Sequence, residues 1–271
     1  MGPEVPRSTH RVCTFEPLRF NEIGGLRIRL VSGERQSWRR RCRRLPLPHV
    51  ASHGKAGGPV IKLVVVVRAK DGVGQEELRQ HWLDVHAPNV VASINPKRYI
   101  LNFFEARLDG GPSPYDGMAS AWFDSLEQYQ EVHAQGLPSD GFGDLLARDE
   151  TFRLVTSEIV ALDGKVTPDT VKGTFFVRRR PEVTEADYFQ HWREKHLPNV
   201  RAAMVRNPGG LRYAVSPADL GEPGNWSGLA ELWWKDARGE ELFLPGRTDD
   251  GFRGMSEPYF GIRGHEVVIV E

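Results

Sequence analysis

Apolar and polar positions follow two rhythms along this chain, and the order of the rhythms repeats. Residues Ile61 to Arg68 form an almost unbroken β-branched run, and Gly173 to Arg178 form a second apolar one. Runs of this length, bounded by turn residues, predict strands buried on both faces. Each is followed by a short turn (Asp71-Gly72-Val73-Gly74; Pro181-Glu182-Val183) and then by helical spacing. Leu78, Trp82 and Val85 fall at i, i+4 and i+7 and are predicted to face a core. Thr184 and Asp187 stand at N-cap and N3 spacing, and Gln75-Glu76-Glu77 places acid at the start of the first helix. Pro88 and Pro198 are predicted to end these helices, because a residue before proline disfavours the α region. A β-hairpin is predicted through Arg98–Phe104 and Ala119–Phe123. A second helix follows from Ser125 to Ala134, with Asp124 and Glu127 as its capping pair, and then a last strand at Glu158–Leu162. The order is βαββαβ, a ferredoxin-like unit.

The same unit occurs twice. Gln80-His81-Trp82-Leu83-Asp84-Val85-His86-Ala87-Pro88-Asn89-Val90 returns 110 positions later as Gln190-His191-Trp192-Arg193-Glu194-Lys195-His196-Leu197-Pro198-Asn199-Val200. Around it, Lys62–Arg68 answers to Lys172–Arg178, Arg98-Tyr99 to Arg212-Tyr213, Trp122-Phe123 to Trp233-Trp234, and Asp140-Gly141-Phe142 to Asp250-Gly251-Phe252. A period this long is a duplicated domain rather than a solenoid. The expected domains are residues 60–163 and 170–271, joined by the short polar linker Asp163–Asp169. An antiparallel sheet with helices on one face leaves its other face to be covered, and the second copy can cover it. The expected fold is therefore α+β: tandem ferredoxin-like units packed sheet to sheet as a pseudo-symmetric barrel within one polypeptide.

The zero net charge is an average over unlike regions. Residues 1–58 carry eleven Arg and Lys55 against four Glu, densest at Arg39-Arg40-Arg41-Cys42-Arg43-Arg44, and the remainder is acidic by the same excess. The expectation for this segment is a disordered or poorly packed tail, or a mis-assigned start with the natural one near Val60. Nucleic-acid binding and an anionic membrane surface are the alternatives for such an arm; no nucleic-acid partner is expected. Cys13 and Cys42 both lie in the tail, so the repeats offer no disulfide, Cys-based metal site or cysteine nucleophile. No run is apolar for long enough to span a membrane, and no signal-peptide pattern opens the chain. The expected location is cytoplasmic.

The candidate chemistry lies in the duplicated phrase. His86 and His196 each follow a Trp by one helical turn and suit a general acid/base near neutrality, or a structural His near a helix end. His81 and His191 precede the Trp at i, i+5 from the second His, which on an α-helix does not place the pair on one face; no metal site is expected there. Trp82 and Trp192 read as core residues or as substrate contacts. Tyr99 and Tyr213 suit hydrogen bonding to a carbonyl or enolate from the barrel-facing side of a strand, with core Tyr as the other reading. Asp140 and Asp250 open Asp-Gly-Phe turns, which turn chemistry explains, and an Asp beside a His can also orient an imidazole. His133 and Asn102 mark places where the copies differ. His133 is a further acid/base candidate, the alternative being a surface His at a helix end. Among the substrate contacts are Asn102, Asp140, His81 and His191.

The phrase His-Trp-x3-His-x-Pro-x-Val after a buried strand resembles the EthD-domain family, within the dimeric α/β-barrel superfamily. The resemblance covers residues 60 to 271 and implies an intramolecular version of that barrel, since family members are commonly single-domain homodimers. Relatives in the family include dehydratases and decarboxylases of pigment and polyketide pathways. The wider superfamily includes cyclases, isomerases, cofactor-free monooxygenases and haem enzymes. With no dinucleotide fingerprint, P-loop or nucleophile elbow present, the first expectation is a cofactor-independent acid/base enzyme: a dehydratase, cyclase, isomerase or decarboxylase. It would act on a hydrophobic aromatic or polyketide-like small molecule in a barrel cavity, as a monomeric pseudo-dimer or a homodimer. The alternatives are a haem- or oxygen-dependent oxidoreductase, with a His as axial ligand in the haem case, and a non-catalytic binding module.

Overall fold

The computed structural model describes residues 60–137, 139–167, 169–220, 225–243 and 248–271, together with two two-residue strands, Glu22–Ile23 and Leu26–Arg27, that pair antiparallel. The expectation of a disordered tail or displaced start otherwise falls outside the described residues. The first copy comprises β1 (Ile61–Val67), α1 (Gln75–His81), a π turn (Trp82–His86), α2 (Ala87–Ile94), β2 (Arg98–Arg107), β3 (Gly117–Phe123), α3 (Leu126–Gln135) and β4 (Phe152–Ser157). After β5 (Ile159–Asp163), the second copy repeats the order. It contains β6 (Val171–Val177), α4 (Glu185–His191), a π turn (Trp192–His196), α5 (Leu197–Arg206), β7 (Gly210–Pro217), β8 (Gly228–Trp234), α6 (Ala237–Phe243), α7 (Phe252–Met255) and β9 (Gly261–Val270).

The strands form one antiparallel sheet in the order β4-β1-β3-β2-β9-β6-β8-β7-β5. Its two edge strands, β4 and β5, are separated in sequence by Glu158 alone, so the sheet curls into a nearly closed barrel with the helices outside. The barrel expected from the repeat is borne out. The last-strand expectation needs correction. The segment at 158–162 does not close its own unit: β4 pairs with β1, and then β5 crosses to pair with β7 of the other copy. β9 does the same in one piece, pairing with β6 through Gly261–Gly264 and with β2 along Ile262–Val270. Each copy lends its final strand to its neighbour. No helix among the described residues is long and apolar enough to cross a membrane.

Strand alternation divides the core into three layers. On β1, Ile61, Leu63 and Val67 face the helices, while Val64 and Val66 face the barrel interior with Phe104, Met118, Leu154, Phe176, Leu229 and Ile262. A second helix-side layer lies around Trp192, Tyr213 and Trp234. The interior also holds a buried ionic chain. Glu231 on β8 pairs with Lys62 of β1 and, at 2.7 Å, with Lys172 of β6. The two lysines reach outward to Glu158 (3.0 Å) and Glu266 (2.8 Å), and these carboxylates accept the indole N–H groups of Trp122 and Trp233. Burial works against the Lys62 ammonium, but Glu231 and Glu158 outweigh it and hold its pKa above the ordinary value. Burial would likewise raise Glu231, yet Lys172 and Lys62 pull it down to about 2. The chain is pseudo-symmetric except at its centre. Trp122 faces Lys62 across the ladder as Trp233 faces Lys172, so the first-copy equivalent of Glu231 is Ser120.

Local details depart from expectation at the helices. Pro88 and Pro198 do not end them. The chain widens to a π turn before each proline, in which the Ala87 N–H bonds to the Trp82 carbonyl and that of Leu197 to Trp192. Each proline then falls in the first turn of the next helical segment, where a missing N–H costs little. The extra residue of the π turn also rotates the helix. Leu78 and Trp82 are buried as expected, but Val85 is 38% exposed and His86 takes the inward position. At α3 the cap is Ser125, which accepts from the Gln128 N–H, rather than Asp124. Thr184 caps α4 through Asp187 as the spacing predicts.

Candidate functional site

The π turn sets the site. Closing i→i+5 bonds brings His81 and His86 toward the same partner, correcting the expectation that their spacing separates them. His81 Nε2 donates to the Asp140 carbonyl at 3.0 Å, and His86 Nδ1 meets Asp140 Oδ2 at 2.8 Å. Phe142 stacks on His86 with ring centroids 4.1 Å apart. The Asp140-Gly141-Phe142 turn makes this possible: Gly141 takes a φ of 82°, and the Phe142 N–H caps Asp140 Oδ1 at 3.1 Å. Asn89 Nδ2 donates to Asp140 Oδ2 at 3.2 Å. The second copy reproduces this, with His196 to Asp250 at 2.9 Å, Asn199 to Asp250 at 2.8 Å and Phe252 stacked at 3.9 Å.

Burial pulls the His86 pKa below its ordinary value, although Asp140 opposes this. Burial works against the Asp140 carboxylate too, but the bonds from His86, Phe142 and Asn89 bring its pKa below the usual range. The pair at neutral pH is thus a carboxylate and a neutral imidazole donating from Nδ1. That tautomer leaves Nε2 as the basic nitrogen, and Nε2 carries no hydrogen bond among the described residues.

His86 lines a cavity of about 40 Å³ between the sheet and its helices. The strand wall is apolar, the helix wall carries Trp82, and the roof is α3 with Tyr129, Val132 and His133. Gly117 is needed here. A Cβ at that position would stand 2.9 Å from both the Trp82 ring and the Asn102 carbonyl. Tyr99 lies on this wall, with the Trp82 indole nitrogen as its nearest polar partner, short of a full hydrogen bond. Burial pushes the Tyr99 pKa up, so the phenol stays protonated. Tyr99 and Tyr213 therefore face the helices, not the barrel interior as expected; the interior is filled by the packed layer and the ionic chain. The equivalent space in the second copy is about 20 Å³, occupied by Phe243, Tyr259 and Phe175 beside His196, Tyr213 and Trp192.

The structure thus gathers His86, Tyr99, Trp82 and His133 around one cavity, and His196, Tyr213 and Trp192 around the other. His81 and His191 stand behind these cavities, and the buried Nε2 of His191 has no partner among the described residues. Asp140 sits behind the His86 ring and positions it rather than facing the cavity. Asn102 lies in the barrel interior, donating to Thr174 at 3.3 Å across the two copies. Sequence reasoning missed Phe142, Phe252, Asn89 and Asn199. The signal was present, since both copies carry Asp-Gly-Phe and Pro-Asn-Val. Among the described residues, no group of three or more His, Cys, Asp or Glu side chains could hold a metal ion.

A helix-coated, nearly closed barrel made of two ferredoxin-like halves is the dimeric α/β-barrel fold, realised here in one chain. Residues 70–136, which hold the first His-Trp-x3-His-x-Pro phrase, match the EthD domain, so the likeness read from the motif is borne out. No curated protein matches the chain. Among solved structures, an anthrone oxidase-like protein superposes with a TM-score of 0.50 at 11% identity, covering 79% of this chain and 94% of that one. A chlorite dismutase variant from Candidatus Nitrospira defluvii, in complex with cyanide, superposes with a TM-score of 0.50 at 9% identity, covering 77% and 90%. At these identities the likeness is one of fold.

Proposed function

We propose that the first-copy cavity is the site of a small-molecule oxidoreductase that uses oxygen without a bound cofactor. His86 acts as general base on an apolar, carbonyl-bearing substrate. The observation that carries this reading is the His86 geometry. Nδ1 is fixed by Asp140, one ring face is held by Phe142, and the basic Nε2 belongs to a residue on the wall of an apolar cavity. Nε2 removes a proton from a carbon made acidic by conjugation with the carbonyl. Tyr99, kept protonated by burial, and the unpartnered Trp82 N–H offer hydrogen bonds to the oxyanion that forms. A resonance-stabilised carbanion of this kind then reacts with dioxygen. The name of the anthrone oxidase-like neighbour supports the oxygen-using class. A cavity of about 40 Å³ is far below the several hundred Å³ usual for ligand pockets. Substrate entry therefore requires α3, which buries only Tyr129, to move outward.

Haem ligation by His86 Nε2 would need a far larger opening, since the cavity of about 40 Å³ is much smaller than a porphyrin, so the cofactor-free reading is the one the present geometry favours. The same proton transfer without oxygen would give the isomerase or lyase chemistry expected from the sequence, so one experiment separates the readings. Anthrone is offered to the protein under air, with oxygen uptake and anthraquinone absorbance recorded together. Conversion of anthrone and dioxygen to anthraquinone and water, lost at least tenfold in His86→Ala, supports the proposal. Deuterium exchange at the reactive carbon without oxygen uptake supports the isomerase or lyase class. Binding with neither leaves a binding module.

A further inference from the structure

The two copies also differ beside the cavity, and there too the difference is a charge. Arg153 on β4 pairs in register with Val65 of β1, which lines the first-copy cavity. Its sequence neighbours Phe152 and Leu154 belong to the barrel interior, so Arg153 projects to the helix side, as Val155 does. β4 is the edge of the sheet on that flank. Arg153 is a half-buried residue, and its side chain forms no ion pair or hydrogen bond among the described residues. It acts electrostatically on two residues of the cavity roof. After burial, its charge is the next cause of the lowered His133 pKa, and it opposes the rise of Tyr129. His133 lines the cavity, stacks on Tyr129 at 5.6 Å, and its buried Nδ1 has no hydrogen-bond partner among the described residues.

Neither group has a counterpart in the second copy. Aligning Phe152 with Phe260 sets Gly261 against Arg153, and a Cβ on Gly261 would already meet Leu108 at 2.5 Å and the Phe175 ring at 2.6 Å. Phe243 stands where His133 would be and fills the space. A guanidinium presents five donors and no acceptor, and it matches a carboxylate in two-point geometry.

We propose that Arg153 and His133 form an anion subsite at the open edge of the first cavity, so that its ligand is an aromatic acid. Its apolar body enters between sheet and helices, and its carboxylate stays at the rim. This rests on the cavity being the ligand site, as in the function proposed above, and adds the class of molecule it takes. The second cavity lacks the subsite and does not select for charge.

The test uses the full chain and two probes of equal shape, 2-naphthoate and 2-naphthamide, with binding read by tryptophan fluorescence and calorimetry at low salt. The expected result is that the acid binds at least tenfold tighter than the amide. In Arg153→Gln that preference falls to about unity with amide affinity unchanged, and Arg153→Lys keeps part of it. Equal affinities in the native protein, a preserved preference in Arg153→Gln, or no binding of either probe would each overturn the proposal. His86→Ala retains the preference. A protein inactive toward anthrone but selective for 2-naphthoate therefore refutes the chemistry and leaves the subsite standing.

Discussion

Replacing Glu231 by Gln tests the energetics of the barrel interior directly. The change keeps the shape and removes the charge between two lysines that are 1% and 2% exposed. Lys62 and Lys172 would then each keep one carboxylate, at the outer end of the chain only. Breaking a buried ion pair by removing one partner costs about 3–5 kcal/mol. An independent route gives a similar size. The Glu231 pKa falls from 4.5 to about 2 on folding, which corresponds to a stabilisation on the order of 3 kcal/mol. At about 2–4 °C per kcal/mol for a fold of this size, the melting temperature should drop by roughly 6–20 °C. The sign of the pH dependence follows from a depressed carboxylate. Its contribution is complete above about pH 4.5 and is lost as pH falls from there toward 2. Calorimetric melts of the native protein and Glu231→Gln across that range should therefore converge at the acid end. A drop below about 3 °C at neutral pH, or a difference that does not shrink on acidification, would refute the account of Glu231 as the charge that makes two buried lysines tolerable.

The other predictions concern the site. Asp140→Asn frees the His86 ring to take the other tautomer and should lower the rate of anthrone turnover or proton exchange by about 10²–10⁴-fold, whereas Asp250→Asn in the smaller second cavity should leave it within a factor of two. Because burial holds the His86 pKa below 6.5, base catalysis should rise with pH below that value and be flat above about 7; an NMR titration of His86 with a midpoint above 7 would contradict this. The same depression means that the unfolded chain binds the proton more readily, so this contribution to stability is present above about 6.5 and is lost as pH falls from there through the lowered folded value. Gly117→Ala places a methyl group 2.9 Å from Trp82; the overpacking should cost about 1–3 kcal/mol in urea unfolding, and an unchanged midpoint would show that the helix is not pinned there.

The repeat made the element order legible because hydrophobic rhythm is a local property. The two strand runs, the helix positions Leu78 and Trp82, and the Thr184 cap all follow from spacing that neighbouring residues settle among themselves. The π turn did not follow. It depends on one extra residue being absorbed ahead of Pro88, and the visible trace was that apolar spacing resumes at Val90 and Ile94 beyond a proline expected to stop the helix. That miss carried others with it: Val85 was given the inward position that His86 holds, and His81 was set apart from His86. The crossing of β5 to the second copy was illegible for another reason, since strand exchange is decided by which edge lies nearest once both copies are folded. The ionic chain did leave a mark. A lysine opens each otherwise apolar strand, at Lys62 and Lys172, and Glu231 interrupts Gly-Leu-Ala-Glu-Leu-Trp-Trp. Only the fold reveals that these charges meet.

The single glutamate at the centre of that chain bears on which copies can pair. Two first copies paired with each other would bring two Lys62 side chains together with Ser120, not Glu231, beside each. Two second copies would crowd two glutamates into the same space. Only the mixed pairing sets a single glutamate between the two lysines, with one further carboxylate at each outer end. Two identical subunits could not supply that centre, whereas joining both copies in one chain guarantees the mixed pairing at one-to-one stoichiometry.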